Sequence, residues 1–236
     1  MSKSRLFDGC CGGGGAAMGY WRAGFEVFGV DEKAQPHYPF WFHQGDVLAV
    51  LDRLLAGGAV TFSMRDGATK TIRLRDLAAA HASPPCQEYS ETTKLHGGKG
   101  RHPDIIEPVR ARLIATGLPY TIENVVGAPI RADAMLCGSM FGLRIAKHRI
   151  FEASFQLHFE LMPPCDHSDL YDPWHGPGRT AEKLRAAQDI DWLPIQGGAS
   201  RKRGVTGDLF NAIPPAYTEF LGRHLLAHLS QQRPAA

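Results

Sequence analysis

Two short stretches of this chain hold the residue types of a covalent-catalysis pair. Cys86 stands in Ser83-Pro84-Pro85-Cys86-Gln87, and Glu123 stands in Thr121-Ile122-Glu123-Asn124-Val125. The prolines fix the backbone before the cysteine and turn its thiol outward. A nucleophilic thiol needs that exposure and also help to ionise, since unaided it titrates at about 8.5. A carboxyl at the end of an apolar stretch is desolvated, so its pKa rises and it can hold or donate a proton near neutrality. An isolated cysteine is more often a small buried hydrophobe, and an isolated glutamate a surface residue. Their pairing at neighbouring strand ends favours chemistry. A third signature is the turn Gly9-Cys10-Cys11-Gly12-Gly13-Gly14-Gly15, set between an apolar stretch and a helical one. Its backbone N–H groups can face an anionic or zwitterionic cofactor. Asp31, closing the second strand, can accept hydrogen bonds from ribose hydroxyls. Such turns also serve close packing.

The elements that must position these residues follow from periodicity. Residues 5–7 read as the end of a strand, and residues 16–23 as a helix stopped by Gly24. A second strand covers 25–30. Gln44-Gly45-Asp46 precedes a helix over 47–55, stopped by Gly57-Gly58. Residues 59–77 read as an insertion, with a hairpin about Asp66-Gly67. Residues 77–82 form a small-residue strand running into the Cys86 stretch. Residues 90–102 are polar and glycine-bearing and read as a mobile loop. Apolar residues at 105, 106, 109, 113 and 114 suit an amphipathic helix over 103–116. Residues 118–122 lead as a strand into Glu123-Asn124. No clean period survives in 152–206, which reads as a small irregular subdomain. Helical periodicity returns over 214–229, with Tyr217, Phe220, Leu221, Leu225 and Leu226 on one side. Strands alternating with helices predict an α/β fold with a doubly wound, mostly parallel sheet. Such sheets bind ligands at the carboxyl ends of their strands. The glycine turn, Asp31, Asp46, Pro85-Cys86 and Glu123-Asn124 all fall at such ends.

Composition sets outer bounds. The chain has 236 residues, 44% hydrophobic and 21% charged, which suits a globular protein of one large domain and excludes general disorder. No apolar run approaches the roughly 18–20 residues that cross a bilayer, so no membrane partner is expected. Residues 1–7 are too short for a signal peptide, and a cytoplasmic location is expected. The net charge of +2 by itself argues nothing about nucleic acid. Five cysteines, an odd and sparse set, read as free thiols in a reducing compartment. Cys165-Asp166-His167 holds two ligand types one residue apart, but no second pair accompanies it at zinc-like spacing, so no metal is expected.

In order, these stretches resemble the cytosine-5 DNA methyltransferase family. Leu6-Phe7-Asp8-Gly9 with its glycines resembles the family's first S-adenosylmethionine motif. Pro85-Cys86-Gln87 resembles its catalytic Pro-Cys-Gln, Glu123-Asn124-Val125 its Glu-Asn-Val, and Lys147-His148-Arg149 its Arg-rich motif. Phe210-Asn211-Ala212-Ile213-Pro214-Pro215 resembles the late Asn-Ala-Val-Pro-Pro stretch. The match covers residues 5–151 and about 205–225. Residues 31–46, with Gln35-Pro36-His37-Tyr38-Pro39, resemble the compact versions found in phages and their bacterial hosts.

The resemblance implies a Rossmann-like fold with a catalytic and cofactor-binding domain over 1–151. It implies a small target-recognition region over 152–206, and a segment over 207–236 that returns to the catalytic domain. It implies S-adenosylmethionine as cofactor, double-stranded DNA as partner, a monomer, and a bacterial or phage-infected host. Methyl transfer to C5 of a flipped cytosine would run through a covalent bond from Cys86 to C6, with Glu123 holding N3 and the exocyclic amine. Arg149 would contact the pyrimidine or position Cys86, and Asn124 would organise the Cys86 loop. Phe7, Gly9, Gly12, Gly13, Asp31, Glu32, Asp46, Pro85 and Asn211 would line the cofactor. Gln87, Ser90, Lys94, Lys99, Arg101 and Lys147 would meet DNA. The chain departs from the family pattern in three places. Its glycine turn is longer, Lys147 stands where Arg is frequent, and Phe210 precedes Asn211 where Gly is usual. A ring at 210 would reshape the methionine end and permit a modified sulfonium analogue. Methylation of tRNA cytosine and a catalytically silent DNA-binding regulator are the alternatives. A zinc deaminase is excluded because Tyr89 stands where its second cysteine belongs. Ser83-Pro84-Pro85-Cys86 likewise lacks the Asp or Asn and the aromatic of an amino-directed methyltransferase.

Overall fold

The computed structural model describes residues 3–86, 89, 104–159, 162–168, 170, 180–195 and 207–232. Nine strands form one sheet: β1 (Arg5–Gly9), β2 (Glu26–Asp31), β3 (Trp41–Gln44), β4 (Ala59–Ser63), β5 (Thr69–Arg73), β6 (Ala79–Ala82), β7 (Tyr120–Asn124), β8 (Ala134–Leu136) and β9 (Arg149–Ala153). Their order is β5-β4-β3-β2-β1-β6-β7-β9-β8. The central run from β3 to β7 is parallel, and antiparallel pairs finish both edges. Every residue of β6 and β7 is buried, as expected for parallel strands covered on both faces.

Side chains alternate across each strand. Leu6 and Val27 enter one core, while Phe7 and Phe28 enter the other. Helix α1 (Gly15–Ala23) and the C-terminal helix α6 (Pro215–Gln231) cover the first face. They pack closely because glycine lines their contact: a Cβ on Gly19 would lie 2.1 Å from the Pro215 carbonyl oxygen. Helices α2 (Val47–Leu55) and α3 (Ile106–Thr116) cover the second face. Val47, Val50, Leu51 and Leu54 form the buried stripe of α2, at helical spacing. Each such side chain contributes about 1.5–3 kcal/mol by leaving water.

The expected hairpin is β4–β5, which extends the sheet beside β3. Strands β3, β8 and β9 and two late helices lack an equivalent in the periodicity. Strand β3 is only four residues long, too short to show a period. Helix α4 (Ala181–Gln188) lies inside the stretch expected to be irregular. Thr180 caps it by accepting the Lys183 N–H at 3.2 Å. Its buried Ala181, Leu184 and Ala187 join Leu193, Leu209 and Ile145 in a third cluster, with Leu209 supplied by the short helix α5 (Gly207–Asn211). Helix α4 is thus anchored to the fold.

Candidate active site

The order of the parallel strands reverses between β1 and β6, which opens a crevice at their carboxyl ends. Gly9 ends β1 there. A Cβ on it would lie 2.8 Å from a Val47 methyl carbon, so only glycine fits. The turn beyond has positive φ at Cys10 (56°), Gly12 (48°) and Gly14 (86°). Asp31, at the end of β2, ties the turn down: Oδ2 accepts the Gly12 N–H and Oδ1 the Lys33 N–H, both at 2.9 Å. Gly13 is covered, since a Cβ on it would lie 2.8 Å from Leu193 Cδ2, and Trp192 Nε1 donates to its carbonyl at 2.8 Å. Asp46 caps α2, with Oδ1 accepting the Leu48 N–H at 2.7 Å. Glu32 is exposed beside Asp31. Burial pushes the Cys10 thiol far above the ordinary range, and the charges of Asp31, Asp8, Asp46 and Glu32 add to it. This end of the sheet is therefore acidic and rich in acceptors. It suits hydroxyls, amines and a cationic group, and it repels a pyrophosphate.

Cys86 and Glu123 stand at the ends of the adjacent strands β6 and β7. Glu123 is 6% exposed, and burial raises its pKa against the opposing charges of Arg149 and Lys147 and a hydrogen bond from Ser83. Arg149, the first residue of β9, places Nε 3.0 Å from Glu123 Oε1. The Cys86 thiol is half-buried; burial first and the Glu123 charge second raise its pKa, while Arg149 and Lys147 oppose them. Asn124 is fully buried beneath the loop, donating from Nδ2 to the Pro84 carbonyl at 3.1 Å and accepting the Val125 N–H at 2.9 Å. Pro85 is half-buried between Pro84 and Cys86.

Two of the expected contacts lie elsewhere. Lys147, expected to meet DNA, is 3% exposed. Its ammonium donates to Gln188 Oε1 at 2.5 Å, to the Phe210 carbonyl at 2.8 Å and to the Ala212 carbonyl at 2.5 Å. It ties the late motif to β9 and α4 and faces the interior. Phe7, expected on the cofactor, is 1% exposed within the second core, with Cε1 3.1 Å from where a Cβ on Gly9 would stand. Asn211 is exposed at the end of α5. Gln87, Ser90, Lys94, Lys99 and Arg101 lie outside the described residues. Tyr89 and Asp104, which flank most of that stretch, are hydrogen-bonded to one another.

A buried polar chain was not legible beforehand. His81 of β6 is fully buried, with Nδ1 2.8 Å from Thr121 Oγ1 and 3.2 Å from the Tyr20 hydroxyl, and Nε2 2.9 Å from Ser83 Oγ. Burial drives its pKa down to about 3, so the imidazole is neutral. Ser83 carries this chain on to Glu123. The one signal in the sequence was a lone histidine in a strand of alanines. A groove of about 620 Å³, lined by Lys3, Trp21, Phe40 and Trp41 among others, opens at the opposite ends of β2 and β3 and holds none of these residues.

No family model matches this sequence, and no curated protein matches it. Solved structures do. A methyltransferase of Entamoeba histolytica, EhMeth, is 12% identical and superposes with a TM-score of 0.59 over 97% of this chain and 99% of its own. A protein described as a DNA modification methyltransferase encoded within an Escherichia coli prophage is 12% identical, with a TM-score of 0.59 over 98% of this chain and 100% of its own. The Dnmt2 methyltransferase of S. pombe is 11% identical, with a TM-score of 0.59 over 97% and 99%. Along nearly its whole length, this chain has the Rossmann-like fold of those methyltransferases.

Proposed function

We propose that the chain belongs to the cytosine-5 methyltransferase family and methylates cytosine C5 in double-stranded DNA. The observation that carries this reading is the convergence of Cys86, Glu123 and Arg149 at the ends of β6, β7 and β9, beside the glycine turn. Cys86 Sγ attacks C6 of an extruded cytosine, and the electron pair of the C5–C6 double bond moves to C5. Glu123, whose pKa burial raises, takes up a proton to donate to N3 and accepts from the exocyclic amine, stabilising the charge that attack pushes onto the ring. Arg149 holds the carboxyl in place. When bound, S-adenosylmethionine would supply the electrophilic methyl that C5 takes, its sulfonium S–CH3 bond breaking to leave S-adenosylhomocysteine. Loss of the C5 proton to a water-relayed base then re-forms the double bond and expels the Cys86 thiolate.

The acidic, acceptor-rich crevice fits that cofactor. Asp31 accepts from ribose hydroxyls, Asp46 and Glu32 face the adenosine, and the backbone of Gly9 and Gly12 receives the amino-acid end together with Pro85 and Asn211. The stretch 152–206 serves target recognition, and Gln87, Ser90, Lys94, Lys99 and Arg101 meet the DNA. Mass analysis of the transferred group tests the modified sulfonium; methylcytosine as sole product removes it.

Trapping on duplex DNA containing 5-fluorocytosine tests the reading. The wild type with cofactor forms a covalent adduct that survives denaturation, and Cys86→Ala forms none. No adduct from a folded wild type that still binds DNA makes the chain a silent regulator. Tritiated methyl entering tRNA and not DNA overturns the choice of substrate.

A further inference from the structure

Away from the crevice, four metal-ligating side chains meet. Cys137 follows β8, His148 precedes β9, and Cys165 and His167 come from the segment 162–168. One ligand atom of each lies within 4.8 Å of the others. Cys165 Sγ is 2.8 Å from His167 Nε2 and 3.4 Å from His148 Nε2, and Cys137 Sγ is 3.3 Å from His167 Nε2. Around a tetrahedral zinc ion, with Zn–S of about 2.3 Å and Zn–N of about 2.0–2.1 Å, ligand atoms stand about 3.3–3.8 Å apart. Two of these three spacings fall within that range and the third is shorter.

The surroundings are those of a built site. Gly138 lets the chain turn sharply after Cys137, since a Cβ there would lie 2.4 Å from the Ile145 carbonyl oxygen. Ser139 Oγ lies 3.4 Å from Cys137 Sγ and 3.5 Å from Cys165 Sγ, and it accepts the Asp166 N–H at 3.2 Å. A hydroxyl shared between the two sulfurs is the kind of outer contact that orients thiolate ligands. The sequence holds no second ligand pair near Cys165 and His167. The fold supplies one, because the connection from β8 to β9 brings its two ends together.

We propose that Cys137, His148, Cys165 and His167 bind one zinc ion. Two thiolates and two imidazoles in a tetrahedral set select zinc over the oxygen-seeking cations. Protein side chains fill all four positions, so the site is structural and activates no water. Binding displaces the two thiol protons. The ion fastens the segment 162–168 to the start of β9, where His148 adjoins Arg149 and its carbonyl accepts from Arg149 Nη1 at 2.8 Å. The proposal stands on this geometry alone and holds whether or not the chain transfers methyl groups.

Elemental analysis of protein purified without chelator is the test. A single zinc per chain is expected, falling at least about tenfold in Cys165→Ser/His167→Ala, both exposed positions. Cobalt substitution is expected to give tetrahedral d–d bands and a sulfur-to-metal charge-transfer band that weakens in Cys165→Ser. If the double variant fails to fold, chelator-stripped wild type is titrated with zinc against a chromophoric competitor. An apparent Kd tighter than about 100 nM is expected. Weaker binding, zinc content unchanged in the double variant, or cobalt without the charge-transfer band overturns the proposal.

Discussion

The Ser83 amide donates to the Gly9 carbonyl at 3.0 Å, across the point where the order of the parallel strands reverses. This bond joins the loop that carries Cys86 to the turn proposed to receive the cofactor. The Ser83 hydroxyl meanwhile bonds His81 and Glu123. One residue thus registers the nucleophile, the acid and the glycine turn, and a displacement of any one of them strains the other two.

The Cys86 thiol lies above its ordinary pKa, so its thiolate fraction still climbs with pH at pH 9. Alkylation of Cys86 by iodoacetamide, followed by peptide mass spectrometry, is expected to quicken about tenfold per pH unit with no plateau below pH 9. Glu123→Gln removes a charge that raises this thiol, so alkylation at neutral pH is faster in the variant. Methyl transfer is nonetheless expected to fall by about 100-fold or more. An unchanged alkylation rate in Glu123→Gln would show that the carboxylate does not act on the sulfur, and a slower one would reverse the sign of its effect.

Asp8 is fully buried, Oδ1 has no hydrogen-bond partner among the described residues, and its pKa is pushed up to about 8, mainly by desolvation. The folded state therefore binds this proton more tightly than the unfolded chain. The contribution of Asp8 to stability falls as pH rises from about 4 to about 8, by at most about 1.4 kcal/mol per unit. Asp8→Asn is expected to flatten that slope and to raise stability at pH 8 by on the order of 2–4 kcal/mol. Denaturant midpoints across this window decide it, and parallel curves for the two proteins would refute it.

His81 has the opposite sign. Its folded pKa is driven down to about 3, so below about 6.5 the unfolded chain takes up a proton that the folded one refuses. The His81 contribution to wild-type stability is expected to drop between pH 6.5 and 3 at up to about 1.4 kcal/mol per unit. His81→Gln starts about 1–3 kcal/mol lower at pH 7, for lost hydrogen bonds, but declines less steeply. The two melting-temperature profiles should converge toward pH 4.

Lys147→Met deletes the donor shared by Gln188, Phe210 and Ala212. A loss of about 3 kcal/mol or more is expected from the stranded acceptors. Because this ammonium faces the interior, the salt slope of DNA binding is expected to stay unchanged. A slope lowered by about one ion would place Lys147 against a phosphate.

Much of the architecture was legible in the residues. The stripe Val47, Val50, Leu51, Leu54 behind the Asp46 cap could belong only to an amphipathic helix, and the Asp66-Gly67 turn marked the β4–β5 hairpin. These are local signals: a period, a cap, a turn. Strand β3 and helix α4 escaped because four residues carry no period and because α4 lies among prolines and glycines.

The sequence by itself determined which chemical groups are present and on which strand ends: a thiol after two prolines, a carboxyl after an apolar strand, a glycine turn before a helix. Strand alternation and strand length follow from neighbours along the chain, so such placements can be read there. Tertiary structure alone decided which groups meet. It turned Lys147 inward to three oxygens, enclosed His81 between Tyr20 and Thr121, and drew Cys137 and His148 to Cys165 and His167. Those meetings depend on how sheet edges and late segments pack over distances along the chain that no local pattern spans.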